Sequence, residues 1–319
     1  MRAFVTAEWT AEGVQALERL GYEVRTGGWG VTRHALDTEA LVAAAREVEL
    51  LVVEVETVDA AVLDRLPGLR VLGSARGSPA NVDLDACSVR GIPVLHTPAR
   101  NADSVADFVI RLTLTICRGI SAGEQHLRGH GWMVRGELPY LHFRGPELAG
   151  LTLGLIGRGA VGRAVERRAR SGFGMRVIFH DPYVDGSVPL DELLATSDIV
   201  SLHCPRSPET VGLIGAKALA AMKPTAYLVN TAGGACVDEV ALVEALAEGA
   251  IAGAALDVYA IEPLPPDSPL LGCPGLVLTP HLAGAADDVV RHHTELLCAD
   301  LTRLSAGQPP LHCANPQAL

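Results

Sequence analysis

Lysine is almost missing from this chain. Lys217 and Lys223 are the only two among 26 basic residues, so arginine supplies the other 24. The bias is compositional and is assigned no function. Positive charge as a whole is also scarce. Acidic residues outnumber basic ones 37 to 26, the net charge is −11 and the pI is near 5.4. That balance argues against a broad nucleic-acid-binding surface, while leaving room for a local cationic pocket.

No Cys-x-x-Cys pair exists. Cys87, Cys117, Cys204, Cys236, Cys273, Cys298 and Cys313 are dispersed along the chain. An odd, scattered set fits reduced thiols in a cytoplasmic protein, not a disulfide framework or a metal centre. No run reaches the roughly 18 apolar residues of a membrane span. Arg111 interrupts the best candidate, Val105 to Ile116. The opening residues, MRAFVTAEWT, lead straight into strand-like sequence and carry no signal-peptide pattern. The expectation is a cytoplasmic protein with no metal, no nucleic-acid partner and no membrane partner.

What is present is a long alternation of short apolar runs and helical stretches. The 319 residues suit two domains, and 49% hydrophobic residues can build a large core. Strands are expected at Ala3 to Ala7, Tyr22 to Arg25, Glu49 to Val55, Leu69 to Ser74 and Ile92 to Leu95. Helices are expected between them at Thr10 to Leu20, Thr38 to Arg46, Asp59 to Leu66 and Asp85 to Arg90, with a loop at Gly27 to Gly30. This β–α order reads as a flavodoxin-like domain. Thr97-Pro98 reads as a linker, Ala102 to Cys117 as a helix leaving that domain, and Gly129 to Gly145 as loop-rich. The alternation resumes beyond it and ends in a long helix, Ala285 to Leu304.

The chain is organised around Leu151 to Tyr183. An apolar run, Leu151 to Ile156, reads as a buried parallel strand. It meets Gly157-Arg158-Gly159-Ala160-Val161-Gly162, a GxGxxG turn, then a helix to Phe173 that stops at Gly174 and a strand from Met175 to Phe179. Gly157 permits the tight turn, Gly159 lets backbone approach a pyrophosphate, and Gly162 lets helix and strand pack closely. The free N–H groups at the helix start favour phosphate. Asp181 follows Gly162 by 19 residues, at the end of the next strand. An acid there accepts from ribose hydroxyls and repels a 2′-phosphate, which favours NAD over NADP.

Polar residues then collect at the ends of successive predicted strands: Asp181, His203, Asn230, Asp257 and His281. In an open parallel sheet that edge is where ligands bind.

GLIGRGAVGRAV, HCPRSPETVGLIG, LVNTAGGACVDEVAL, GAALDVYAIEPLP and LVLTPHLAGA together resemble the D-isomer-specific 2-hydroxyacid dehydrogenases, nearly end to end. The resemblance implies a two-domain α/β protein with doubly wound parallel sheets. A Rossmann NAD-binding domain, residues 100–284, would be inserted into a flavodoxin-like substrate domain made of 1–99 and 285–319. It also implies a cleft between the domains, hydride transfer between NAD and a small anionic substrate, and a homodimer. His281 in LTPH would be the acid/base, and Glu262 in IEP the carboxylate paired with it. Gly157 to Gly162, with Arg158, Ala160 and Val161 among them, would hold the pyrophosphate. Asp181, His203, Pro205 and Thr210 would line the adenosine. Thr231 and Asp257 would face the nicotinamide, Asp257 through its carboxamide, and Ala232, His281, Gly284 and Ser104 would also bind the cofactor. Arg76, Gly77, Ser78 and Asn101 would meet the substrate.

One member of the resemblance is missing. Where the family reads N-[ST]-[AS]-R-G, this chain reads Asn230-Thr231-Ala232-Gly233-Gly234. Gly233 stands where an arginine would fork the substrate carboxylate. Three explanations are open. Another cation serves, with Arg76 first and Arg135 or Arg144 behind it. The substrate is unusual, a phosphonate or a bulky acid. Or the protein binds NAD(H) as a sensor or regulatory protein and catalyses poorly.

Overall fold

A computed structural model describes all 319 residues. The chain divides into two compact units, Met1–Asn101 with Ala286–Leu319, and Ala102–Ala285. The sequence expectation placed these junctions near 100 and 284.

Unit 1 carries β1 (Arg2–Val5), α1 (Ala11–Arg19), β2 (Glu23–Thr26), α2 (Trp29–Thr32), α3 (Thr38–Ala45), β3 (Leu50–Val53), α4 (Ala60–Asp64), β4 (Val71–Ser74), α5 (Leu84–Val89) and β5 (Val94–Leu95). Its sheet runs β2-β1-β3-β4-β5 with every pairing parallel, which is the flavodoxin-like order. Successive strand residues point to opposite faces. Ala3, Val5, Leu50 and Val52 join one core with Leu17 of α1, and Phe4, Leu51 and Val53 join the other with Leu41 of α3 and Val62 of α4. Both faces are therefore covered, which is why these strands read as continuous apolar runs.

The expected loop at Gly27 to Gly30 is in part a helical turn, α2. Its start is held by the buried Glu56, whose carboxylate accepts from Trp29 N at 3.1 Å and from Thr6 Oγ1 at 2.6 Å. A carboxylate at a helix start satisfies N–H groups that otherwise lack partners.

Unit 2 carries α6 (Ala102–Cys117), α7 (Ile120–His130), β6 (Thr152–Ile156), α8 (Ala160–Phe173), β7 (Arg176–His180), α9 (Leu190–Thr196), β8 (Ile199–Leu202), α10 (Ala216–Ala221), β9 (Tyr227–Asn230), α11 (Glu239–Ala247), β10 (Gly253–Leu256) and β11 (Leu276–Leu278). The final helix, α12 (Asp288–Ser305), belongs to unit 1 and packs on α1. Unit 2 has one parallel six-stranded sheet, ordered β11-β10-β9-β8-β6-β7. Only β7 lies beyond β6, where the six-strand order 3-2-1-4-5-6 has two strands. The next segment still tracks β7, with Val188 N donating to Phe179 O at 2.9 Å, but it adds no strand. Strand order reverses between β6 and β8, the crevice position for ligands in such sheets.

Leu153 and Leu155 of β6 pack with α6 and α8, while Val200 and Leu202 of β8 pack with α10 and α11. Each fully buried leucine of this kind contributes about 1.5–3 kcal/mol. α8 buries Gly162, Val165 and Ala169, one stripe at helical spacing, and ends on Gly174 at φ 61°. Two further helices escaped the sequence reading. α7 buries no residue and so shows no apolar stripe, and α9 has only 7 residues.

Candidate active site

The GxGxxG turn joins β6 to α8. Gly157 adopts φ +95°, and a β-carbon there would lie 2.8 Å from the backbone of His203 and Cys204. A β-carbon at Gly162 would lie 2.4 Å from Gly157 O. Neither position admits a side chain. Gly159 has nothing within 4 Å of its missing β-carbon. The N–H groups of Gly159, Ala160 and Val161 donate to nothing within the protein. The result is an open cradle of free donors at a helix start, built for an anion.

Asp181 closes the far side of this turn. Its carboxylate accepts from Arg158 N at 2.8 Å and from Tyr183 N at 3.1 Å. Arg158 departs from the expectation. Its backbone N–H is spent on Asp181, and its guanidinium pairs with Glu166 at 2.7 Å and stacks over Phe179 at 4.5 Å. The guanidinium thus stiffens α8 against β7 and is not free for a phosphate.

At the ends of β8 and β9, three buried polar atoms lack partners: His203 Nδ1, His203 Nε2 and Thr231 Oγ1. Burial drives the His203 pKa down to about 3, so the ring is neutral at ordinary pH. Unpartnered buried polar atoms are costly unless something else completes them. Three together, beside an anion cradle, fit the hydroxyls and amide of a dinucleotide. Thr210, expected beside them, does something different. Its hydroxyl accepts from Ser207 N at 2.8 Å and donates to Pro205 O at 2.7 Å, pinning the loop after β8. The side chain of Ser104, in the first turn of α6, makes no hydrogen bond, and Ser104 is part-exposed, as is Gly284.

The acid–base candidates stand beyond β10 and β11. His281 Nδ1 lies 2.8 Å from Glu262 Oε2, with His281 62% and Glu262 35% exposed. The second Glu262 oxygen accepts from Tyr259 N at 3.0 Å. With Nδ1–H donating to the carboxylate, Nε2 is left outward as the exchangeable position. His281 sits at φ +54°, a region a non-glycine residue keeps only when its surroundings hold it. The holding group is Asp257, which is fully buried. It accepts from Thr279 Oγ1 at 2.6 Å and from Leu282 N and Ala283 N, each at 2.8 Å, while Asp257 O accepts from His281 N at 2.9 Å. Asp257 therefore anchors the His281 segment, where the sequence reading had it meeting the nicotinamide. Tyr259 adds a second tie. Burial and the nearby Asp257 push its pKa up to about 12, so the phenol stays protonated and donates to Thr279 O at 2.8 Å. Beside the pair lies a mostly apolar cavity of about 600 Å³, lined by Pro263, Leu264, Leu271, Leu278 and Pro280 among others.

Asn230, fully buried, shapes the loop after β9. It accepts from Ala232 N at 3.1 Å and donates to Gly233 O at 3.0 Å. The two glycines that follow differ. A β-carbon on Gly234 would sit 1.8 Å from the Tyr259 backbone, so no other residue fits. Gly233 is extended, at φ −156° and ψ 126°, and its nearest would-be neighbours are Cys236 Sγ at 3.5 Å and Arg206 Cβ at 3.7 Å. Those are ordinary contacts, and the backbone does not require glycine there. Arg206, which sequence reasoning passed over, was visible only as a basic residue in HCPRSPET.

Unit 1 carries the remaining expected residues after β4 and β5. The N–H groups of Gly77 and Ser78 donate to nothing, and Asn101 makes no hydrogen bond. Arg76 reaches Glu54 O only at 3.5 Å. Arg100 was not anticipated. It pairs with Glu54 at 2.8 Å and donates to His293 Nδ1 at 2.8 Å, while His293 Nε2 donates to Glu8 O at 2.6 Å. Those contacts fix His293 as the neutral Nε2–H tautomer, and its burial favours the same state.

The profile described as "D-isomer specific 2-hydroxyacid dehydrogenase, NAD binding domain" matches residues 110–283. A glyoxylate reductase of Thermofilum pendens is 39% identical over 280 residues, covering 85% of this chain and 82% of that protein. Among solved structures, a Thermus thermophilus protein is 37% identical, with a TM-score of 0.83 over 98% of this chain and 100% of the other. The NAD complex of a D-isomer-specific 2-hydroxyacid dehydrogenase from Lactobacillus delbrueckii ssp. bulgaricus is 25% identical, with a TM-score of 0.82 over 99% and 100%.

Proposed function

Because the chain belongs to the D-isomer-specific 2-hydroxyacid dehydrogenase family, we propose that it interconverts a small 2-hydroxy acid, or a phosphonate analogue, and its carbonyl compound, with His281 and Glu262 as the acid–base pair. Unit 2 holds the family's NAD-binding domain, and the chain is an NAD-dependent oxidoreductase acting on CH–OH groups. The observation that carries the finer reading is the 2.8 Å contact between His281 and Glu262, on the same sheet edge as the anion cradle.

When bound, the cofactor would supply hydride as NADH in reduction and take it up as NAD+ in oxidation. The protein's own part is the proton and the position. In reduction, His281 Nε2–H gives its proton to the substrate carbonyl oxygen, and in oxidation Nε2 takes the proton of the hydroxyl. Glu262 fixes the ring's tautomer and rotation from the Nδ1 side. Free donors at Gly159 to Val161, together with Asp181, His203 and Thr231, would hold the dinucleotide. Similarity to a glyoxylate reductase and to D-3-phosphoglycerate dehydrogenases makes short 2-keto acids the first substrates to test.

A homodimer is part of the same proposal. The segment from α7 to β6 exposes Trp132 at 67% and Tyr140 at 63%, with Leu127, Leu138 and Leu141 also exposed. A run of large apolar groups on one surface segment supports this reading.

The test is His281→Ala with NADH and a panel of 2-keto acids and phosphonates. Turnover is expected to fall by at least about a hundredfold, the usual scale of a positioned acid or base, while NADH still binds. Retained turnover would remove His281 from the role.

A further inference from the structure

Gly233 brings no side-chain charge to the proposed substrate site, and Arg206 is rooted beside it. We propose that Arg206, rooted on the loop after β8, is the cation that grips the acid group of the substrate. This rests on the reading of the site given above.

The first ground is position. The β-carbon of Arg206 lies 3.7 Å from where a side chain at 233 would begin. Two arginines rooted one van der Waals contact apart reach overlapping volumes. The second ground is availability. Arg206 is exposed, and its side chain pairs with no other residue of the protein. Arg158, the other arginine of this sheet edge, is consumed by Glu166 and Phe179. The third ground is the root. Thr210 ties the residues on both sides of Arg206, through Pro205 O and Ser207 N, so the side chain leaves a fixed backbone.

Glycine at 233 then has a reason that the backbone does not supply. The conformation there suits any residue, and a β-carbon would fit. A second guanidinium, however, would compete with Arg206 for one anion and repel it. Removing the side chain at 233 leaves the space to a single planar fork, which can still bind a carboxylate through two parallel N–H donors. The ligand class is a small carboxylate, held from a root displaced toward β8.

The experiment uses the full chain with NADH, with folding of each variant checked by circular dichroism. Arg206→Met is expected to raise KM for glyoxylate by roughly 10- to 100-fold, the scale of a lost charged hydrogen bond. Binding of oxamate, a carboxylate that does not turn over, should weaken by the same factor in calorimetry. NADH affinity should stay within about twofold. Arg206→Lys should recover part of the loss, because it restores the charge without the fork. Gly233→Arg added to Arg206→Met should recover more, because it supplies a fork from the adjacent root. If the parent protein reduces glyoxylate and Arg206→Met leaves both KM and oxamate binding unchanged, this inference fails and the proposed function stands. If Arg206→Met loosens NADH and spares oxamate, Arg206 belongs to the dinucleotide and the inference also fails. A parent protein that reduces only phosphonates overturns this inference, and one that reduces neither 2-keto acids nor phosphonates overturns the proposed function with it.

Discussion

Glu262→Gln changes one oxygen to an NH2 group and keeps the shape. Its consequence follows from the two hydrogen bonds the carboxylate accepts, Tyr259 N at 3.0 Å and His281 Nδ1 at 2.8 Å. A carboxylate can accept both, but an amide has only one oxygen. If that oxygen turns to His281, the NH2 group faces the Tyr259 N–H, donor against donor. If it turns to Tyr259, the NH2 group faces Nδ1, which must then become an acceptor, and the ring takes the opposite neutral tautomer. Either way one charged hydrogen bond is lost, a cost of about 1.5–3 kcal/mol. Expressed at the transition state, that is roughly a tenfold to hundredfold loss. The assay is kcat for reduction of the best 2-keto acid, with NADH affinity by fluorescence as the control. The loss should fall on kcat, because Glu262 acts through His281 and not on the substrate. A Glu262→Gln enzyme within about twofold of the parent in kcat across the pH range would refute the pairing as a functional one.

Gly233→Ala is expected to be folded and close to the parent in stability, whereas Gly234→Ala should be strongly destabilised or inactive, since its β-carbon meets the Tyr259 backbone at 1.8 Å; equal thermal midpoints would refute the contrast. His203 should make the NAD-free protein acid-sensitive. Its ring has a pKa near 3 when folded against an ordinary 6.5, so between those values the unfolded chain takes up a proton that the folded one does not, and stability falls as pH drops at up to about 1.4 kcal/mol per unit. Denaturant melts at pH 7 and pH 5 should show a smaller drop for His203→Gln, and an unchanged drop would refute it. Trp132→Asp combined with Tyr140→Asp should shift the protein to monomer in sedimentation with unit 2 still folded, and an unchanged mass would remove this segment from the interface.

The strands were legible because burial on both faces writes them as apolar runs, and the GxGxxG turn because its glycines answer to local clashes. α7 was not legible, since a helix that buries nothing has no stripe to read. Residue types at the sheet edge could also be read, but several of their roles could not. Asp257, Arg158 and Thr210 all look like ligand contacts in a one-dimensional pattern, yet each spends its hydrogen bonds on the protein itself. Which side chains remain free is decided by neighbours distant in sequence. The same blindness hid Arg206, whose meaning appears only when the fold brings it beside Gly233.

Exposure and burial divide the labour at this edge. The pair that would move the proton, His281 and Glu262, is open to solvent at 62% and 35%. The groups that place it, Asp257 and Tyr259, are buried and hydrogen-bonded. A proton donor must meet a substrate that comes and goes, so it cannot itself be locked in the core. Its position must then come from buried neighbours whose own hydrogen bonds leave them no alternative arrangement. Asp257 meets that requirement most fully. Three donors converge on its carboxylate, and its carbonyl holds His281 N. Conservative changes at this buried acid should therefore harm turnover as much as changes at the exposed pair, because its carboxylate holds Thr279, Leu282 and Ala283 around the His281 backbone.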